Sequence, residues 1–260
     1  MMINFDKLIK NKEKLRLEYL TAKPFPHLVL DNICDEVKLL NAYDSIPILD
    51  NKSRDYMFAS NKFEKSNYGE ISPLLKELQD DLRSDKMNSF LSFITGRNVF
   101  VDPKNHGGGL HQGRKSSFLD MHLDYNYHPI NHTWWREVNL LLYMNKDWRQ
   151  EYGGHLELKD LRTGDEKRCD VAFNTLIIQQ CHDYTLHGYK PTNFPKDNFR
   201  TSIATYAFSK HSKQIYKQRT TDWFPDKESD SVLKKWLGRN ITKLISVKNK
   251  FLGSGTAKNQ

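Results

Sequence analysis

His122, Asp124 and His187 are the residues of this chain whose types and spacing best suit chemistry. The first two stand in Phe118-Leu-Asp-Met-His-Leu-Asp-Tyr125, where Leu119, Met121 and Leu123 alternate with Asp120, His122 and Asp124, the period-two pattern of a half-buried strand. Both side chains project from one face, roughly 6.5 to 7 Å apart at the backbone, so an imidazole and a carboxylate can lean onto one ion. A third ligand is supplied by His187, in the strand-like run Tyr184-Thr-Leu-His-Gly-Tyr189. Two histidines and one carboxylate on one face of a metal leave other positions open, an arrangement that suits Fe(II) and O2. A structural zinc site would close its tetrahedron, usually with cysteine.

A His-x-Asp pair with a distant His is common, and the plain alternative is a buried ion pair or a loop hydrogen bond. The neighbourhood argues otherwise. Arg200 opens Arg-Thr-Ser-Ile-Ala-Thr-Tyr-Ala-Phe208, where Arg200, Ser202, Ala204 and Tyr206 share a strand face. A guanidinium fork beside a hydroxyl holds a carboxylate bidentately, and in an apolar strand it suits an anion inside the fold better than a surface salt bridge. Between the two halves run Val138-Asn-Leu-Leu-Leu-Tyr-Met-Asn-Lys-Asp-Trp148 and Tyr152-Gly-Gly-His-Leu-Glu-Leu158. Asn139 and Tyr143 share one face of the first run.

From about Pro24 to about Ser209 the chain resembles the Fe(II)- and 2-oxoglutarate-dependent dioxygenases, in particular the prolyl 4-hydroxylase-like group. The resemblance rests on the His-x-Asp pair, the Leu-Tyr-Met-Asn-Lys-Asp-Trp stretch, the Gly-Gly-x-Leu strand, the distal His-Gly and the Arg-x-Ser, in that order. It implies that His122, Asp124 and His187 bind Fe(II), and that Arg200 grips the distal carboxylate of 2-oxoglutarate with help from Tyr143 and Ser202. Asn139 would line the same pocket. Arg200 stands somewhat further past the distal histidine than in the animal prolyl hydroxylases, which affects the intervening loop more than the role. The implied reaction consumes O2, with ascorbate as a candidate reductant, and hydroxylates an unactivated C–H bond with release of succinate and CO2. Asp124 favours hydroxylation, because the related halogenases lack that carboxylate.

At 260 residues with no repeat or low-complexity linker, the chain reads as one folded domain with extensions. Hydrophobic residues make up only 38%, but 12 Tyr, 14 Phe and 5 Trp can furnish a core. The fold class is α+β, mainly β. An N-terminal extension over 1–97 contains an amphipathic helix at 4–20, a strand at 27–31, a helix at 35–43 capped by Asp35, and a helical block at 72–95. Short alternating runs over 98–208 read as a jelly-roll or cupin-like core, the double-stranded β-helix that the resemblance implies, buttressed by the helices. The segment 209–252 reads as a basic C-terminal helical extension, and 253–260 as a disordered tail.

Residues 209–260 carry 12 Lys or Arg against 4 Asp or Glu, whereas residues 1–208 balance, so the net charge of +8 lies in that segment. Leu233, Trp236, Leu237, Ile241, Leu244 and Ile245 form one stripe of a basic amphipathic helix there. It packs on the barrel or meets an acidic partner, with nucleic acid the less favoured one. No transmembrane segment and no signal-peptide core is present, and Cys34, Cys169 and Cys181 are odd in number and far apart, so a cytoplasmic location is expected.

Of the other histidines, His27, His128, His132 and His211 read as surface or loop residues, and His155 and His182 as satisfied groups near the site. His106 and His111 flank a glycine run, from which His111 or Gln112 can reach a cosubstrate. Tyr125–His132 with Trp134, Trp135 and Arg136 reads as an aromatic loop at the mouth, a candidate lid or a plain rim. Gly153-Gly154 marks a bulge or a close backbone approach. The substrate stays open between a peptidyl residue, with proline suggested only by the resemblance, and a small molecule such as a sugar or free amino acid. A different class of reading is a non-catalytic metal-binding barrel that acts as a binding module through its basic tail.

Overall fold

The computed structural model describes residues 1–50 and 58–225, together with Lys234 and Trp236. In chain order its elements are α1 (Phe5–Lys10), α2 (Lys12–Thr21), β1 (His27–Asp31), α3 (Glu36–Asp44), β2 (Ala59–Lys65), α4 (Pro73–Leu82), α5 (Asp85–Thr95), β3 (Phe100–Val101) and β4 (Gly109–Leu123). There follow β5 (Trp134–Tyr143), β6 (Leu156–Asp160), β7 (Glu166–Cys169), β8 (Thr175–Gln180), β9 (Thr185–Tyr189), β10 (Arg200–Lys210) and β11 (Asp222–Trp223).

The strands run antiparallel in the order β1-β8-β5-β10-β4-β9-β6-β7, with β2 and β11 added along β4 and β3 along β10. The fold is the expected mainly-β, nearly closed double-stranded β-helix. β4 makes the closure. Its first half pairs with β10 from Gly109 to Gly113, and its second half pairs with β9 at Leu119 and His122. Between them the strand kinks, with Ser116 at φ 64°, so one strand pairs with β10 along its first half and β9 along its second. β1 and β2, both from the N-terminal extension, join this same sheet.

Strand alternation decides which side chains enter the barrel. Val138, Leu140, Leu142, Leu176, Ile178, Ile203 and Ala207 face outward and pack with Leu39, Leu75, Leu78, Leu91 and Ile94 from α3, α4 and α5. The helices thus cover one face of the sheet and exclude water from it. The opposite face carries Tyr143, Leu156, Leu158 and Ile177 in a second core, and the same parity puts Asn139, Arg200 and Ser202 inside.

Local chemistry explains where the helices differ from expectation. The helix foreseen over 4–20 is two, because the Asn11 side chain donates to the Lys7 carbonyl at 2.8 Å and competes with the backbone ladder. The block foreseen over 72–95 also divides, since Ser72 and Ser84 each cap a helix by accepting from Leu75 N and Met87 N. Asp35 caps α3 as expected, accepting from Lys38 N. Trp134, Trp135 and Arg136 open β5 rather than belonging to a loop. The basic helix expected within 209–252 and the tail at 253–260 fall largely or wholly outside the described residues.

Candidate active site

The β4 kink brings His122 directly opposite His187 on β9, and the two imidazole centroids lie 4.2 Å apart. Asp124 follows at the end of β4, with Oδ1 3.6 Å from His122 Nε2 and Oδ2 3.5 Å from His187 Nε2. One donor atom from each of the three lies within 4.8 Å of the others. Glycine at 188 permits this approach, because a Cβ there would meet the Leu119 carbonyl oxygen at 2.6 Å. The three spaced residues of the sequence therefore converge on one point.

His122 Nδ1 donates to the Asp120 carbonyl at 2.9 Å, which leaves Nε2 as the lone-pair atom. Burial and then the neighbouring His122 ring push His187 down to about 3, so its imidazole is neutral. Burial alone would raise Asp124, but Arg136, His187 and His122 outweigh it and hold the carboxyl well below its usual range. Two imidazoles able to offer lone pairs and one ionised carboxylate are the donor set an open divalent iron site requires.

Asp124 is itself held. Its Oδ2 accepts from Asn139 Nδ2 at 2.7 Å and from Arg136 Nη2 at 3.0 Å. Arg136 is buried between the rings of Tyr125 and Tyr206, 4.2 and 3.6 Å from their centroids. It also donates to Asn139 Oδ1, to which the Cys181 thiol points at 3.0 Å. On the other flank Trp223 of β11 lies 4.9 Å from the His122 ring and stacks on Phe58. Side chains held in this way would keep their orientation without an ion.

Arg200 sits elsewhere in the same interior, 6% exposed. Its Nε donates to the Gly154 carbonyl at 2.7 Å, its Nη2 lies 3.4 Å from the Tyr143 hydroxyl, and its guanidinium covers the Tyr189 ring at 3.8 Å. Burial raises Tyr143, so its hydroxyl remains a donor. Ser202 pairs with Tyr143 on one side and with His111 on the other. Asn139, expected to line the cosubstrate pocket, shares the inward face but bonds Asp124. His111 lies within 3.4 Å of Glu64, whereas Gln112 turns away to accept from Leu49 N and donate to Pro47 O.

Lys62 of β2 was not legible in the sequence. It pairs with Gly113, which in turn pairs with Arg200, so all three project to one face. Its ammonium acts on Asp124, His187, Arg200 and His111 alike. Its Nζ lies 3.9 Å from Glu64 Oε2, and burial lowers its pKa from the usual lysine value.

The close approach at Gly153-Gly154 is to Arg200: Gly154 has φ 72°, and a Cβ there would lie 3.0 Å from Arg200 Cδ and 3.1 Å from Nε. Gly154→Ala is expected to lower stability by about 1–2 kcal/mol through the left-handed backbone, and to displace the guanidinium. A chemical melt combined with an anion-binding titration checks both effects.

Of the histidines expected as surface or loop residues, His128 lies in the loop before β5 and His27 in β1, and both are buried. His106 Nδ1 and His128 Nε2 lie 2.8 and 3.3 Å from Asp102 Oδ2, a second group of potential ligands. His128 Nδ1, however, accepts from Ile130 N and Asn131 N, so the neutral ring carries its proton on Nε2 and donates to Asp102. This cluster is a hydrogen-bonded core element. His155 is buried and bonds Arg168 Nη2 at 3.0 Å, as a satisfied core group should, whereas His182 is exposed after β8 and bonds Asp183.

Residues 105–208 match the family model of the 2OG-Fe(II) oxygenase superfamily. No curated protein matches the chain. Among solved structures, it is similar to a Trichoplax adhaerens prolyl hydroxylase in complex with a hypoxia inducible factor oxygen degradation domain peptide fragment, at TM-score 0.56 and 18% identity, over 78% of this chain and 91% of that one. It is also similar to a Pseudomonas putida prolyl-4-hydroxylase, at TM-score 0.56 and 12% identity over 77% and 100%. A third is a Phytophthora capsici prolyl 4-hydroxylase, at TM-score 0.57 and 14% identity over 96% and 81%. At these identities the structural likeness establishes the fold.

Proposed function

We propose, from the match of residues 105–208 to the 2OG-Fe(II) oxygenase superfamily model, that the chain hydroxylates an unactivated C–H bond of a peptidyl residue, proline first among candidates. The observation that carries this reading is a barrel interior holding His122, Asp124 and His187 together and, apart from them, a buried Arg200 braced by Tyr143 and Gly154. The prolyl hydroxylases of like fold, one of them bound to a peptide, support the choice of substrate.

His122, Asp124 and His187 would hold Fe(II), which with 2-oxoglutarate and O2 supplies oxidation of C–H to C–OH as the 2-oxo acid is decarboxylated to succinate and CO2. The chain's residues do the rest. Arg200 presents a fork to the distal carboxylate, and Tyr143 donates a hydroxyl beside it. Ser202 and His111 wall the same face. Arg136 and Asn139 hold Asp124 ionised and fixed in orientation. The outward core and its helices keep water from the back of the sheet, which strengthens each charge interaction inside. The thiols of Cys34, Cys169 and Cys181 are free, which suits a cytoplasmic setting, and no helix among the described residues is long and apolar enough to cross a membrane.

The test is an anaerobic titration of 2-oxoglutarate into the Fe(II)-loaded protein, following the visible absorption band of a chelated 2-oxo acid. A saturating band supports the reading, and its absence with iron demonstrably bound overturns it. In the same titration Lys62→Met is expected to raise the dissociation constant about tenfold, the worth of one charge-assisted contact to a carboxylate. Lys62→Arg should stay near wild type.

A further inference from the structure

We propose that the rim built from residues 125–136 and 210–221 docks an acidic polypeptide, so that the residue hydroxylated lies in an acidic stretch of protein. The inference rests on the hydroxylase reading above and adds the chemical character of its substrate.

Residues 210–221 contain Lys210, Lys213, Lys217 and Arg219 and neither aspartate nor glutamate, and residues 125–136 contain no acid either. The charge is local, because residues 1–208 carry equal numbers of acidic and basic side chains. The two segments are laced together beside the metal-ligand strand. His211 N donates to Thr133 O at 3.0 Å, Trp135 Nε1 to Lys213 O at 3.3 Å, and Asn126 Nδ2 to Lys217 O at 2.9 Å. Arg219 N donates to Asn126 Oδ1 at 2.8 Å, and its Nη2 to the carbonyl of Asp124 itself at 3.0 Å. The backbone that carries Lys213 and Lys217 is thus tied directly to an iron-ligand residue.

Among the described residues Asp222 offsets Arg219, and the carboxylates nearest this rim are each paired with a group other than Lys213 or Lys217. Asp124 faces Arg136, Asp120 faces Lys234 at 2.8 Å, Asp222 faces Arg219 at 3.9 Å, and Asp183 bonds His182. Lys213 and Lys217 are exposed, and Ile130 and the fully exposed Tyr216 stand on the same two segments. Ammonium groups interleaved with apolar surface fit a peptide that carries carboxylates and apolar side chains. A nucleic acid would call for several open aromatic faces on which successive bases stack, and Tyr216 is one such face. The large indole here, Trp135, has its face covered by His211 at 3.6 Å and 13°.

The test is fluorescence anisotropy with the full chain and three labelled probes: a peptide alternating glutamate and proline, its lysine-proline twin, and oligo(dT). The acidic peptide should bind most tightly and weaken as salt rises. The double substitution Lys213→Glu with Lys217→Glu should cost it about tenfold or more, while 2-oxoglutarate binding stays at the wild-type level. The proposal is overturned if the double variant binds the acidic peptide as well as wild type does, which would place the attraction elsewhere in the chain. It is equally overturned if the lysine twin binds as well, or if oligo(dT) binds more tightly. An absent 2-oxoglutarate band in wild type would instead strike the hydroxylase reading, so the two failures are separable.

Discussion

Arg200→Gln is expected to weaken 2-oxoglutarate binding by about 100- to 4000-fold while leaving iron affinity unchanged. The size follows from what the substitution removes. The guanidinium is 6% exposed and stays in place without a ligand because Gly154 O, the Tyr143 hydroxyl and the Tyr189 ring hold it. A carboxylate that enters loses its water there, and removal of its one bidentate partner from such a site costs about 3–5 kcal/mol. Arg200→Lys would keep the charge and lose the fork, so it should fall between the two. The measurement is the same anaerobic titration, with iron content determined independently. The distal carboxylate supplies a further control: a 2-oxo acid that lacks it, such as 2-oxovalerate, should bind wild type and Arg200→Gln alike. Equal weakening of iron and 2-oxoglutarate would mean that Arg200 supports the fold rather than the ligand.

The parts of this site that were legible in the sequence are those governed by strand parity. Alternation in 118–125 and 200–208 put His122 with Asp124, and Arg200 with Ser202, on the correct faces, and β1 lies where its hydrophobic run does, at His27–Asp31. Parity needs only local sequence. What it could not reveal depends on which strands become neighbours. Ala59–Lys65 is a polar run, Ala-Ser-Asn-Lys-Phe-Glu-Lys, with only Ala59 and Phe63 buried, so nothing in it signals a strand. Lys62 reaches the site only because β2 pairs with β4. Arg136 carried little signal, since Glu137 and Asn139 stand in the same run leading to Tyr143, and its partner Asp124 is fixed by tertiary packing. His128 is the loop residue it looked like, but its burial against Asp102 and His106 arises only through the fold. Helix limits failed for a third reason: Asn11 and Ser84 interrupt periodic patterns with side chains that bond the backbone, a competition that hydrophobic periodicity does not register.

His187→Ala is expected to remove iron binding by more than the roughly 10- to 100-fold that substitutions around a metal site's outer partners cost, and to leave the barrel folded. His187 differs from the other two proposed ligands in what depends on it. Asp124 anchors Arg136 and Asn139, so its loss would strand a buried guanidinium, and an effect on iron there would be confounded with an effect on packing. His122 carries Trp223 against its ring and a hydrogen bond to Asp120 O. His187 is a buried ring pushed down to about 3, so it enters the folded state uncharged. Its removal therefore leaves no unpaired charge, and the cost to folding is that of a small cavity between β4 and β9. Its neighbour Gly188 still lets the two strands approach. Retention of the wild-type thermal transition by the apo variant, together with loss of both the iron and the 2-oxoglutarate band, would separate ligation from architecture. A variant that unfolds would make His187 a packing residue and leave His122 and Asp124 without the third donor on which the open site depends.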